Sequence, residues 1–509
     1  MATEPRRWQR ELRPNRGLPL PPKDIYLASA PRKYDWVRLA VIAVGLGVLA
    51  LAHVLPHLPD AVDPEGRRFA LTREGQTALG LFAFAALWWA FEVVPIGVTG
   101  CAVGALQVLL SVRTPQASLG DFLDPTMWFV VGSLVVGMAF ARTGLTQRVA
   151  YPLLLLFGER TRFIYLGAFV TTGVLALFMA HTAAAAAVFP LLMAIYPLYD
   201  EGRHPTRFGK GLFIGMAMTA GASSIITLLG SGRAAVGAGF FEQMTGRDVS
   251  FFEFSYYLLP LGVALVVALW ALMLVLFPPE KESIAGLRER LEAIHRKLGT
   301  ITARELVTLA VVAAMLIALA VGSYSPGPAL HRSAVVVAAV VALFLTGVLG
   351  IDDLETVPWN IVLLFGGATS MGHCLWRTGA ARWVAVHGLA FWPGAHWLVF
   401  VLGLALLVVV LTNFIVNVAV LAMVLPVGLV AAPYLGISPE VVFYTTVSAA
   451  GMPLFLLIGA APNAMAYESR QFTSREFMRA GVPATAVVLA VLALFALVFW
   501  PLMGMPIRH

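Results

Sequence analysis

FMAHTAAAAAVFP (Phe178–Pro190) and FIVNVAVLAMVLP (Phe414–Pro426) stand about 236 positions apart and read as two versions of one segment. Each opens with Phe, carries a polar residue three places on, and runs through small apolar residues to a proline. Each follows a second matched pair, RTGLTQRVA (Arg142–Ala150) and RTGAARWVA (Arg377–Ala385). Four related segments in one order point to internal duplication. Polar breaks at equivalent places in two apolar halves are the pattern of a transporter built from repeats, with its binding site where the breaks meet.

The flanking chain reads as membrane-embedded. Of 509 residues, 59% are hydrophobic and only 12% charged, against roughly a quarter charged in soluble domains. Apolar runs of about 20 residues recur, long enough to cross a hydrocarbon core of roughly 30 Å. Such unbroken runs argue against a barrel of short alternating strands. The expected fold is therefore an all-α polytopic membrane protein. It has about 11 transmembrane helices, near 36–55, 75–94, 96–112, 126–143, 208–243, 254–277, 304–322, 331–349, 359–378, 441–466 and 480–503. Two further stretches, 162–197 and 394–433, are too long for one span and are split midway by polar residues. They suit re-entrant helical hairpins, whose non-helical tips need protein or water around them. The expected organisation is a tail (1–34), an extra first helix and outer loop (35–73), a first repeat (74–278), a linker (279–303) and a second repeat (304–509).

The net charge of +7 is distributed as a topology signal rather than as a nucleic-acid surface. Arg6, Arg7, Arg10, Arg13, Arg16, Lys23, Arg32 and Lys33 precede the first span, while Lys281, Arg288, Arg290, Arg296, Lys297 and Arg304 sit in the linker. The positive-inside rule assigns both groups to the cytoplasm. The C-terminus then lies outside, and the expected location is a bacterial inner membrane. The N-terminus is too long and charged before its first apolar run for a typical signal peptide. An odd number of spans separates the two copies, which gives them opposite orientations and brings both tips to the midplane. In the linker, Ile284, Leu287, Leu291, Ile294 and Leu298 predict an amphipathic helix over 282–298, resting on the membrane or on its own protein. Cys101 and Cys374 read as packing residues without a disulfide framework. His373 and Glu92 read as packing or interfacial residues.

The chemistry-bearing residues are few. His181 and Thr182 interrupt the first tip, and Thr412, Asn413 and Asn417 the second. Each hairpin precedes a second broken stretch, GASSIITLLGSGRAAVGAG (Gly221–Gly239) and AAGMPLFLLIGAAPNAMAY (Ala449–Tyr467), in which Gly230 and Gly459 correspond. Unwound backbone offers N–H groups to an anion and carbonyls to a cation. The GSGR run lacks the strand and the lysine of a phosphate loop. Arg233, inside a span, costs at least about 2.5–3.5 kcal/mol on insertion scales unless it is paired or solvated. That makes it a candidate fixed cation for an anionic substrate. His181 offers a group for proton coupling or a neutral hydrogen-bonding ring.

These segments, together with WFVVGSLVVGMAFARTGL, WNIVLLFGGATSMGHCLWRTG and GAAPN, resemble the divalent anion/sodium symporter family of dicarboxylate, citrate and sulfate transporters. The resemblance covers nearly the whole chain after about residue 75. It implies a homodimer in the lipid bilayer, an elevator-like substrate domain, a small anionic substrate and Na+ as coupling ion, without a cofactor. The family's Ser-Asn-Thr tip motif falls on Ala180, His181 and Thr182, and on Val416, Asn417 and Val418. Its broken-helix motif falls on Gly230, Ser231, Gly232, Arg233 and Ala234, and on Gly459, Ala460, Ala461, Pro462 and Asn463. The resemblance thus implies substrate contacts at Thr182, Ser231, Arg233, Asn417 and Asn463. Cation or coupling roles fall to His181, Gly230, Thr412, Asn417 and Gly459, with Na+ at Thr412 and Asn417.

The departures from the pattern carry their own message. Ala180 and His181 remove the hydroxyl and the amide of the first sodium site, and Val418 removes a hydroxyl from the substrate clamp. His181 and Arg233 put basic groups where the first cation would sit, which implies exchange without sodium there. Alternatives are an H+-coupled or exporting carrier of another solute on the same fold, and a membrane enzyme or non-transporting sensor. No Ser-His-Asp set, metal-ligand cluster or carboxylate pair is visible to support the enzyme.

Overall fold

Helices make up almost every element of the computed structural model, which describes residues 36–63, 65–200, 205–324, 330–390 and 396–508. The basic tail at 1–34 lies outside the described residues. In chain order the helices are α1 Trp36–Val54, α2 Arg73–Ala90, α3 Ile96–Leu109, α4 Pro115–Gly120, α5 Pro125–Thr143 and α6 Leu145–Leu156. They continue with α7 Thr161–Ala176, α8 His181–Tyr199, α9 Arg207–Ser223, α10 Gly232–Thr245 and α11 Phe251–Leu276. The linker helix α12, Leu287–Lys297, leads to α13 Ala303–Tyr324, α14 Arg332–Leu345, α15 Ile351–Glu355, α16 Trp359–Arg377 and α17 Ala380–Ala390. Last come α18 Trp397–Leu411, α19 Asn417–Ala431, α20 Pro439–Ala449, α21 Ala461–Glu468 and α22 Ser474–Leu494. Helices α2 to α11 precede the linker helix, and α13 to α22 follow it. The strands described are two-residue pieces, Ala61–Val62 paired with Arg68–Phe69.

Among the described residues, six stretches are long and apolar enough to cross a bilayer, among them α1, α8, α11 and α13, and shorter apolar helices accompany them. The chain is an integral, multi-pass membrane protein. α7, α18 and α19 have 16, 15 and 15 residues, fewer than the about 20 needed to cross alone. The two RTG motifs each close a helix. Gly144 (φ 86°) and Gly379 (φ 77°) adopt the left-handed conformation that a side chain would strain. They turn the chain into α6 and α17, two short helices in stretches outside the spans expected at 126–143 and 359–378.

The first hairpin returns to where it starts. At its beginning, the Thr161 hydroxyl donates to Lys281 O (2.7 Å) and its amide to Glu282 O (3.0 Å). At its end, the Tyr199 hydroxyl donates to Glu280 Oε2 (2.8 Å) and accepts from the amides of Glu280 and Lys281 (2.9 Å each). Both ends of α7–α8 are thus held by one linker segment. The linker helix is shorter than expected: it begins at Leu287, after Gly286 (φ 75°), because 280–284 is occupied in this docking. Ile284, Leu287 and Leu291 are buried, and α12 packs on α6 and α8. Its apolar face therefore rests on the protein. Of the cysteines, Cys374 is buried as a packing residue, whereas Cys101 is exposed on the outer face of α3.

Acidification should release the linker from the hairpin. Burial works to raise the Glu280 carboxyl, but the amides of Arg207 and Phe208 and the Tyr199 hydroxyl outweigh it and hold it below its ordinary value. A carboxyl lowered by folding contributes full stability above its ordinary pKa and loses it as pH falls through the folded value. Amide exchange across 280–284 should rise on acidification through the carboxylate range, and at neutral pH in Glu280→Gln. Equal exchange in all these conditions would remove the latch.

Candidate functional site

Four helices begin inside the fold. α8 and α19 start at the hairpin tips, and α10 and α21 start after the unwound stretches. The residues before α8 and α19 share one backbone geometry, Ala180 at φ −55°, ψ 140° and Val416 at φ −56°, ψ 132°. Those before α10 and α21 share another, Ser231 at φ −158°, ψ 119° and Ala460 at φ −155°, ψ 149°. None of the four carries a side-chain cap. Each therefore presents N–H groups at the positive end of a helix.

The halves meet at these points. Gly230 faces the Ala176 carbonyl at the end of α7, and Gly459 faces the Thr412 carbonyl at the end of α18. These carbonyls occupy equivalent places in the two tips. α9 and the second unwound stretch touch backbone to backbone, at Gly221 and the Gly451 carbonyl. A small cavity beside this contact is lined by His181 from the first tip, Gly221 and Met218 from α9, and Gly451, Ala460 and Asn463 from the second half. Thr182, half-buried on the first turn of α8, stands outside that lining, as do Ser231, Arg233 and Asn417.

Arg233 adjoins the cavity through Gly451, where an added Cβ would lie 2.4 Å from its Nη2. Only 2% of the residue is exposed. Nη2 donates to Ser224 Oγ (2.7 Å), and Nε has no partner. Among the described residues no carboxylate oxygen lies within the 4.0 Å of an ion pair. Glu242, the acidic residue nearest in sequence, belongs elsewhere: its Oε2 accepts from Arg332 Nη2 at 2.8 Å, beside Asp248. His181 Nδ1 and Asn417 Oδ1 are likewise buried without partners. A lone buried guanidinium is costly, and with unsatisfied helix N-termini nearby the arrangement favours an anion.

The other predicted residues are committed to the scaffold of the site. Asn463 Nδ2 donates to Pro453 O (2.8 Å) and Leu456 O (3.1 Å), bracing the unwound stretch. The Thr412 hydroxyl donates to Val409 O (3.0 Å), so its carbonyl is the atom that faces Gly459. Ser231 is buried at the N-cap of α10. Sequence reasoning missed Ser224 and Gly451. Ser224 lay within a quoted motif, but nothing in the order of residues tied it to Arg233, and Gly451 comes from the other half. His373 is more than a packing residue, since Nδ1 binds Asp121 Oδ1 at 2.8 Å while Arg113 Nη1 holds Oδ2 at 2.7 Å.

Comparison with known proteins decides the family. The profile described as "Sodium:sulfate symporter transmembrane region" matches residues 36–506. The chain belongs to the sodium:sulfate symporter family. Its members are membrane transporters, and this chain is one, not an enzyme. A membrane protein of Cupriavidus necator is 26% identical over 92% of this chain and 93% of its own length. The sodium-dependent dicarboxylate transporter SdcS of Staphylococcus aureus is 24% identical over 80% of this chain and 82% of its own. Among solved structures, Neisseria gonorrhoeae MtrF (TM-score 0.56, 14% identical, 93% of this chain and 96% of that one) shares the fold. So does the Alcanivorax borkumensis YdaH transporter (TM-score 0.57, 13% identical, 93% and 99%). The family assignment agrees with the resemblance read from the tips and broken helices.

Proposed function

We propose that this family member is a secondary active carrier of small dianions (dicarboxylate, tricarboxylate or sulfate) working by elevator-type alternating access. The observation that carries the reading is Arg233, a buried guanidinium without a carboxylate partner among the described residues, at an uncapped helix start. A dianion there gains a charge-assisted bond to the guanidinium and the N-termini around it. The name of the SdcS relative supports the same substrate class.

In this reading Arg233 supplies, in the first half, the positive charge that a bound cation would bring. Sodium coupling is confined to the second half, with the Thr412 carbonyl that faces Gly459 and the unpartnered Asn417 Oδ1 as its oxygen donors. Residues 74–278 and 304–509 act as repeats of opposite orientation, in a homodimer of the bacterial inner membrane with its N-terminus inside. Purified protein in liposomes, tested for counterflow of succinate, citrate and sulfate, should exchange at least one of them. Its sodium half-saturation should rise in Asn417→Ala and stay unchanged in His181→Asn. Absence of counterflow for all three anions would sink the proposal. The unpartnered Nδ1 of His181 supports a proton-coupled second reading, and uptake driven by a pH gradient and lost in His181→Asn would establish it instead.

A further inference from the structure

We infer that Asn413 is the positioning residue of the second-half site, and that Thr227 performs the same task in the first half from the opposite partner. Unwound stretches leave backbone groups orphaned in an apolar interior, where each unpaired group costs about as much as a lost hydrogen bond. In the second half Asn413, 1% exposed, satisfies two of them. Its Oδ1 accepts from the amides of Phe455 (2.8 Å) and Leu456 (2.9 Å), and its Nδ2 donates to Val409 O (2.6 Å). One side chain on the hairpin tip therefore holds the unwound stretch of the neighbouring broken helix.

The first half has Leu177 at the position of Asn413, and Thr227 at the position of Leu456. There the Thr227 hydroxyl donates to Leu177 O (2.8 Å) and accepts from the Gly230 amide (3.0 Å). The same two positions are joined in both halves, with the polar side chain on the tip in one and on the broken helix in the other. A chance contact would have no reason to recur at equivalent positions through different chemistry. Each tie keeps a tip and its broken helix moving as one body. It thereby holds the Ala176 carbonyl against Gly230 and the Thr412 carbonyl against Gly459. In the second half, where the proposed cation site supplies the premise, Asn413 sets cation affinity without touching the ion.

The pseudo-symmetry supplies its own experiment, on the full chain in nanodiscs. Asn413→Leu copies the first half at the tip, and adding Leu456→Thr transplants the hydroxyl that does the tying there. The single variant should lose amide protection across 453–459. Its sodium half-saturation, read from sodium-dependent thermal stabilisation, should rise about tenfold or more, as when a ligand's supporting partner is removed. The double variant should recover toward wild type in both readouts. Thr227→Val, which keeps the side-chain shape, should lose protection at the Gly230 amide and leave the sodium response unchanged. It supplies a readout even where Asn413→Leu fails to fold. Wild-type protection in Thr227→Val overturns the inference, as does a double variant no better protected than the single one. Should wild-type protein show no sodium response while the exchange pattern follows the prediction, the cation site falls and the tie stands.

Discussion

Arg233→Gln is expected to lower dianion transport by about a hundredfold or more while leaving the protein as stable as wild type, or more so, without substrate. Glutamine can still reach toward Ser224 Oγ, so the local hydrogen bond has a substitute. What disappears is the charge. Truncating one partner of a buried, hydrogen-bonded charge pair costs about 2–5 kcal/mol or more, and each 1.4 kcal/mol is about tenfold. In the empty protein the sign reverses, because a guanidinium without a carboxylate partner is a net cost that its removal relieves. Arg233→Lys should fall between the two, keeping the charge and losing the planar fork. Counterflow and thermal unfolding of the same preparations check both halves of the expectation. Normal transport, or activity and stability falling together, removes Arg233 from the anion site.

Gly221→Ala should be strongly damaging, because it adds a methyl where the two halves touch. A Cβ at Gly221 would lie 2.4 Å from the Gly451 carbonyl oxygen. Both sides of that contact are backbone, so no rotamer change relieves it and the broken helices must separate. Overpacking of this kind typically costs about 1–3 kcal/mol and sometimes more. Here the displaced stretch also carries the neighbours of Arg233 and Asn463. A lower melting temperature and loss of counterflow are expected together. Gly403→Ala on α18 is the control, since nothing lies within 4 Å of its added Cβ. Replacing a helix-interior glycine by alanine is favourable by roughly 0.5–1 kcal/mol where space allows. If Gly221→Ala behaves like Gly403→Ala, the close approach of the two halves has no energetic meaning.

Much of this architecture was legible from local pattern. Apolar run length marked an all-helical membrane chain, and a polar residue midway through each overlong run marked where α8 and α19 start. Those signals are short-range: helix formation and bilayer crossing depend on residues that are neighbours in the chain. Short interfacial helices were harder. The expected spans 126–143 and 359–378 end close to where α5 and α16 end, but α6 and α17, entered through the left-handed Gly144 and Gly379, were not expected as helices. The linker helix was legible from its spacing of apolar residues, but its start was not. That boundary depends on Glu280 and Lys281 docking on Tyr199, a residue about 80 positions earlier.

The candidate site divides along the same line. His181, Arg233, Asn417 and Asn463 stand out because polar groups in apolar segments are costly and need a reason. Their partners do not stand out. Glu242 is the nearest carboxylate to Arg233 in sequence, yet it belongs to Arg332. Asn413 looks like one more polar residue in a tip until its carboxamide is seen holding two amides about 40 positions away.

Two broken, apolar halves and a handful of polar interruptions are properties of the chain as written, because periodicity and burial cost act along it. Whether an interruption is spent bracing the backbone, as in Asn463 and Thr412, or left with an open bond, as in Arg233, His181 and Asn417, is settled by folding alone. Hydrogen bonds are satisfied by whatever the fold brings within about 3 Å. At this site the neighbours come from both halves of the molecule.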